Sequence, residues 1–343
     1  MVILHQAYQG PEHARWRHMR VRDLTEGGIA EPGILLRELE PVVERLLSRH
    51  LEHATDWFPH QYVPWERGRN FDGPLGGEPW EESQSQLSVP VRSALLVGLL
   101  TEDNLPSYHH AVAQELGQDG AWGAWLNRWT AEEDRHATAM RAYVHASRCL
   151  DPLILERSRM AQVGRGFTPH HQDDLLANAA YLMVQELGTR VTHRNTGRHS
   201  GDPVCDQLLS RIAVDENLHM LFYRDLFAAA LERRPDQAMC ALAKAITSFR
   251  MPGAEMAGFR RLTVQVAVAG IYDQQVHHRD VLLPLLRHLR VWRLPGLSAS
   301  GEIAREHISQ YVQKLGEAGA RFDERRSRLR GKPGDPSPAL PVP

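Results

Sequence analysis

A chain of 343 residues with 42% hydrophobic and 24% charged side chains can bury a sizeable core, as one large domain or two average ones. Its formal net charge of −2 gives no overall attraction to nucleic acid or an anionic membrane, and no apolar run approaches the ~18 residues of a membrane span. The first residues lack the apolar core of a secretion signal, and three widely spaced cysteines (Cys149, Cys205, Cys240) argue against a disulfide framework, zinc ribbon or iron–sulfur cluster, so a reducing, cytoplasmic setting is expected.

Residues 1–30 carry Arg15, Arg17, Arg20 and Arg22, then Gly27-Gly28, and read as an N-terminal extension to a domain over 31–330. From Glu31 to about Ala54, Leu35, Leu39, Val42, Val43 and Leu46 recur at threes and fours, which predicts a helix. Pro59, Pro64, Pro74, Pro79 and several glycines punctuate residues 57–86 and mark a long ordered loop. Val89-Pro90 then opens a helix, proline being tolerated in a first turn. Helices are predicted near 90–117, 121–147, 151–164, 173–198, 203–232, 236–249, 257–270, 273–290 and 300–328, with no sustained β-alternation. The fold class is all-α. Gly98, Pro106, Gly188 and Pro284 fall inside these segments. Pro106 cannot donate to the carbonyl of Glu102, so that helix must kink there or end near Asn104. The proline-rich tail 331–343 is expected to be disordered.

Two Glu-x-x-His tetrads carry the chemistry: Glu133-Asp134-Arg135-His136 and Glu216-Asn217-Leu218-His219. Residues i and i+3 share a helix face, so each tetrad points a carboxylate and an imidazole the same way. Glu102 lies 31 residues before Glu133, and Glu186 lies 30 before Glu216. That interval fits a helix, a turn and a return helix, which brings each lone glutamate beside its tetrad. Either tetrad alone is more simply a solvated ion pair. Trp122, Trp125 and Trp129 before the first, with Ile212, Leu221 and Phe222 around the second, give both an apolar face. Buried carboxylates are costly unless paired or metal-bound, and four of them with two imidazoles form the donor set of a dimetal bundle. Without a thiolate the donors suit iron or manganese better than structural zinc.

The stretches Leu100-Thr101-Glu102-Asp103-Asn104-Leu105-Pro106-Ser107-Tyr108, Trp129-Thr130-Ala131-Glu132-Glu133-Asp134-Arg135-His136, Gln185-Glu186, His193-Arg194-Asn195-Thr196-Gly197, Asp215-Glu216-Asn217-Leu218-His219 and Leu294-Pro295-Gly296-Leu297-Ser298 resemble the soluble acyl-carrier-protein desaturases of plant plastids and actinobacteria. The resemblance runs from about Glu31 to about Leu329 and is strongest to the actinobacterial, mycobacterial-type members. It implies a ferritin-like four-helix bundle with flanking helices, and two iron ions (manganese as a surrogate) with O2 as co-substrate. The implied ligands are Glu102, Glu133, His136, Glu186, Glu216 and His219, with Glu133 and Glu216 bridging. Thr189 is implied near the oxygen-binding side, assisting proton delivery, although a hydroxyl back-bonded in its own helix is an equal reading. Asp215 is implied as the hydrogen-bond partner of His136, with Trp57 beyond it on a route for electrons or simply packing the loop.

By the same resemblance the reaction places a cis double bond in an acyl chain on acyl carrier protein, with electrons from ferredoxin and its reductase, in a homodimer. Leu99, Leu182, Met183 and Phe222 are candidates for the wall of an acyl tunnel. Arg260, Arg261, Arg287, Arg290 and Arg293, or the run Arg321, Arg325, Arg326, Arg328 and Arg330, are candidates for meeting the acidic carrier. The rivals are a diiron oxygenase that hydroxylates a carrier-bound intermediate and a ferritin-like iron-binding protein. No third histidine stands at helical spacing from either tetrad, and the turn His170 to Asp173 has no assigned role. Chain length and double-bond position are not legible.

Overall fold

The structure, a computed structural model, describes residues 32–330 except His170, Gln172, Asp173, Pro252, Glu255 and Ala257. The expected N-terminal extension, the tail from 331 and most of the His170–Asp173 turn therefore lie outside the described residues. The helices are α1 (Pro32–His53), α2 (Val89–Glu102), α3 (Leu105–Leu116), α4 (Gly120–Ala146), α5 (Pro152–Arg165), α6 (Leu175–Ser200), α7 (Pro203–Arg233), α8 (Pro235–Thr247), α9 (Phe259–Ala269), α10 (Gln274–Val276), α11 (Leu283–His288) and α12 (Ala299–Arg330). Among the described residues the only β-pairing is an isolated bridge between Phe71 and Glu78.

Local chemistry sets the ends. Asp151, Asp174 and Asp202 accept from the first-turn amides of α5, α6 and α7, and Pro152, Pro203 and Pro235 open α5, α7 and α8. Gly201, in the left-handed region (φ 68°), closes α6, where a side chain would strain. The expected disturbance at Pro106 is a break. The α2 helix stops at Glu102, Asp103 and Asn104 donate back to Leu99 and Thr101, and Pro106 sits in the first turn of α3. Gly188, by contrast, leaves α6 unbroken: a Cβ there would stand 3.1 Å from the Tyr272 hydroxyl, so it serves a close approach. Pro284 follows a π-helical turn, His277–Leu282, which absorbs the irregularity.

The bundle is formed by α2, α4, α6 and α7; α1 lies on α4 and α7, α9 covers α2, and α8 packs on α6 with α12 outside it. Trp122, Trp125 and Trp129 are all buried, as their spacing on α4 predicts. The 57–86 loop is ordered and pinned by Arg148. This buried guanidinium donates to the carbonyls of Arg69, Asn70, Glu78 and Pro79 and to Gln84 Oε1, and it stacks 4.0 Å from the Phe71 ring centroid. Among the described residues no helix is long and apolar enough to cross a membrane.

Candidate metal centre

All six predicted ligand side chains converge at the middle of the bundle, and all six are buried. Glu102 comes from the last residue of α2, Glu133 and His136 from α4, Glu186 from α6, and Glu216 and His219 from α7. They form two clusters, Glu102–Glu133–His136–Glu216 and Glu133–Glu186–Glu216–His219, each with donor atoms within 4.8 Å of one another. Glu133 and Glu216 belong to both. His136 Nδ1 lies 3.3 Å from Glu216 Oε1 and 4.0 Å from Glu102 Oε2; His219 Nδ1 lies 2.9 Å from Glu133 Oε1 and 3.6 Å from Glu186 Oε2.

Seven polar atoms of these residues are buried without a hydrogen-bond partner: Oε2 of Glu102 and Glu186, Oε1 of Glu133, both oxygens of Glu216, and Nδ1 of both histidines. Orphaned buried polar atoms are rare, and seven directed at one place fit a pair of cations. The electrostatics agree. Burial, then the neighbouring carboxylates, drives Glu102 and Glu216 well above the usual carboxylate range. Burial opposes charge on His219, yet its hydrogen bond to Glu132 and the nearby carboxylates of Glu133 and Glu186 outweigh that and raise it. Metal cations would relieve the same crowding and take over the proton's place.

Around the clusters lies a reciprocal outer arrangement, in which the residue preceding each tetrad's glutamate grips the other tetrad's histidine. Asp215 Oδ2 accepts from His136 Nε2 at 3.3 Å, Trp57 Nε1 at 2.7 Å and Arg135 at 2.6 Å, while Arg211 donates to its other oxygen. Glu132 Oε2 accepts from both His219 Nε2 and His50 Nε2 at 2.9 Å, and Arg128 holds its Oε1. Each acceptor places the ring proton on Nε2, which leaves Nδ1 as a lone pair facing the cluster. Burial opposes ionisation of Asp215 and Glu132, but these donors hold both carboxyls well below the usual range.

Sequence reasoning found Asp215 and Trp57 and missed Glu132 and His50. The signal was present, because Glu132 stands to Glu133 as Asp215 stands to Glu216. It also missed His193, whose Nε2 comes within 3.3 Å of Glu102 Oε1 and whose pKa burial lowers to about 3. This third imidazole arrives from α6, seven residues after Glu186 on a recurring helical face. Trp129 Nε1 donates to Glu186 at 3.3 Å. The Thr189 hydroxyl donates to the Gln185 carbonyl at 2.7 Å and accepts from the Gln185 amide.

A cavity of about 720 Å3, counted out to its open mouth, reaches Glu102 and Glu133. Its largely apolar wall includes Leu105, Val112, Trp129, Phe167 and Leu182. Of the four proposed tunnel residues only Leu182 lines it. Leu99 and Met183 are closed into the core, and Phe222 stacks on Trp125 at 3.5 Å. Among the candidate docking arginines, Arg326 is committed inward to Asp273, Asp323 and the Ala267 carbonyl. Arg260, Arg261, Arg287, Arg290, Arg293, Arg321, Arg325 and Arg328 are exposed.

The fatty acid desaturase family profile matches residues 33–334. The chain is 44% identical over 301 residues to DesA1 of Mycobacterium tuberculosis, named as an acyl-[acyl-carrier-protein] desaturase, covering 86% of this chain and 89% of that one. It is 31% identical over 254 residues to the chloroplastic stearoyl-[acyl-carrier-protein] 9-desaturase 6 of Arabidopsis thaliana, covering 69% of this chain and 65% of that one. The X-ray structure of DesA2 from Mycobacterium tuberculosis superposes with a TM-score of 0.64 at 31% identity, over 79% of this chain and 99% of that one. With its all-α, ferritin-like bundle, the chain belongs to the fatty acid desaturase family.

Proposed function

We propose that this protein is a diiron, O2-dependent desaturase that introduces a cis double bond into an acyl chain carried on acyl carrier protein. The observation that carries this is a largely apolar cavity whose wall includes two of the clustered carboxylates, Glu102 and Glu133. Such a cavity can lay unactivated methylenes against the metals, whereas iron storage has no use for one. Glu102 and His136 would hold one iron, Glu186 and His219 the other, and Glu133 and Glu216 would bridge them. The bound irons would supply the O2-derived oxidising power that hydrogen removal from a saturated chain requires. Manganese would serve as a surrogate.

The protein's own groups hold, orient and exclude. Asp215 and Glu132 fix the ligand imidazoles by accepting their Nε2 protons. The apolar wall keeps water away from the bound chain. Trp57, hydrogen-bonded to Asp215, with the Arg135 guanidinium 4.6 Å and the His136 ring 6.3 Å from its ring centroid, offers a route for electrons from ferredoxin and its reductase to His136. Thr189, one turn after Glu186 on α6 and hydrogen-bonded to Gln185, would supply a hydroxyl for proton delivery at the centre. A homodimer in the cytoplasm completes the assignment.

The test incubates iron-loaded protein with ferredoxin, reductase, O2 and a panel of acyl carrier thioesters. Loss of two hydrogens from the product supports desaturation. Gain of one oxygen would make the protein a hydroxylase, and no O2-dependent product from any thioester would remove both.

A further inference from the structure

The two glutamates that belong to a single cluster, Glu102 and Glu186, are held alike. Each sets one carboxylate oxygen against a ring nitrogen from a neighbouring helix and turns the other, buried and unpaired, toward its own cluster's histidine. Trp129 Nε1 on α4 donates to Glu186 Oε1 at 3.3 Å, and His193 Nε2 on α6 stands 3.3 Å from Glu102 Oε1. An ionised carboxylate only accepts, so with metal bound the His193 contact is a hydrogen bond given by the imidazole.

Geometry decides whether His193 is a ligand or a support. The ring is buried, but its Nε2 reaches Glu216 Oε1 only at 4.0 Å, and His193 belongs to neither cluster of donor atoms. It stands one layer outside them, with its nitrogen directed at a carboxylate oxygen. Support is needed more at Glu102 than at Glu186. Glu186 has helix on both sides, whereas Glu102 closes α2 and the chain breaks directly after it. His193 itself lies within α6, about two turns beyond Glu186. One continuous helix thus supplies a ligand to one cluster and a brace to the terminal carboxylate of the other. Gly98, one turn before Glu102, lies beside the same ring. A Cβ there would stand 3.7 Å from the His193 Cε1, so the imidazole packs against α2 at the level where the brace is required.

Resting on the assignment of this site as a two-metal centre, we propose that His193 is a positioning residue for Glu102: its Nε2–H holds Oε1 and leaves Oε2 to the metal on the His136 side. Without that bond the carboxylate is free to turn about its own side-chain bonds. The His136 side then loses a fixed ligand, while on the His219 side Glu186 keeps its tie to Trp129.

The experiment loads the full chain anaerobically with cobaltous ion in place of iron. Competitive chelator titration gives the affinity of each equivalent, and the visible absorption of the bound cobalt reads its ligand geometry. His193→Gln sets an amide N–H near the place of Nε2 and His193→Asn sets one near the place of Nδ1. Both fill the site with a polar group, and only the first can reach Oε1. Wild type and His193→Gln should show two tight equivalents with similar absorption. His193→Asn should bind one equivalent roughly 10–100-fold more weakly, with altered absorption. Glu132→Gln loosens the opposite side through His219, so combining it with His193→Asn should leave no tight equivalent. Two His193 variants that behave alike, both unchanged or both weakened, overturn the proposal, as does a double variant that keeps a tight equivalent. Should His193→Asn fail to fold, His193→Phe, which keeps a ring and loses the N–H, takes its place. A wild type that takes up no metal would sink the two-metal assignment and this proposal with it. The expected split between the variants, without desaturation of any thioester, would sink the desaturase assignment alone.

Discussion

Replacing Glu216 with glutamine should stabilise the metal-free protein while disabling its metal centre. Glu216 belongs to both clusters, where donor atoms lie within 4.8 Å of one another. Two full charges at that distance repel by about 3.5 kcal/mol at an effective dielectric constant of 20, so the metal-free fold answers by keeping Glu216 protonated. Holding a carboxyl protonated at pH 7, when the unfolded chain would ionise it near pH 4.3, costs folding up to about 3.7 kcal/mol. Glutamine needs no proton and avoids that cost. Allowing for disturbed packing, Glu216→Gln should gain about 2–3 kcal/mol, or roughly 3–5 °C in melting temperature.

The assay is calorimetric melting at pH 7 with chelator, then with stepwise ferrous or cobaltous ion under anaerobic conditions. Wild type should rise with metal, by about 2.7 kcal/mol at a hundredfold excess over its dissociation constant, and the variant should rise less. A variant less stable than wild type in chelator would refute the electrostatic account. A variant that still takes up two equivalents with undiminished affinity would refute the role of Glu216 as a shared ligand.

Three further outcomes follow from the same geometry. Glu102, Glu216 and His219 bind protons more tightly in the folded state, so metal-free stability should fall as pH rises through their folded values, by at most about 1.4 kcal/mol per pH unit per group. Asp215 and Glu132, held low, should add the opposite dependence only below about pH 4, and urea unfolding across pH in chelator that rises from acid to alkaline would contradict this. Glu132→Gln should weaken the His219 side of the centre by roughly 10–100-fold and spare the His136 side, so competitive chelator titration should show one tight and one weakened equivalent, not an unchanged pair. Arg148→Met strips the donor from four carbonyls and Gln84, and should cost about 3 kcal/mol or more and open residues 69–84 to protease; unaltered resistance would show that the loop holds itself.

The helices and the ligand carboxylates were legible for one reason, which is that both obey helical periodicity. Glu102, Glu133, Glu186 and Glu216 recur within segments whose apolar faces predict where they point, and the structure brings them together there. Glu132 was legible in principle by analogy with Asp215, but its partner His50 comes from α1, and nothing in the spacing joins residues so far apart. The tunnel wall was the least legible. Leu99, Met183 and Leu182 are equally apolar and adjacent to ligands, yet a rotation of about 100° per residue turns Leu182 to the cavity and Met183 to the core. Arg326 looked like part of a solvated basic run, and only tertiary packing against Asp273 turns it inward.

The interruption after Glu102 makes two formally equivalent carboxylates mechanically different. Glu186 is clamped mid-way along a continuous 26-residue rod, so its backbone has no freedom of its own. Glu102 rides the tip of a 14-residue one, followed by a two-residue joint, and it is the one whose side chain borders the cavity. Any swing of a carboxylate that opens a coordination position therefore costs least on the flank that borders the cavity, and the scaffold's near-symmetry conceals a soft jaw and a hard one.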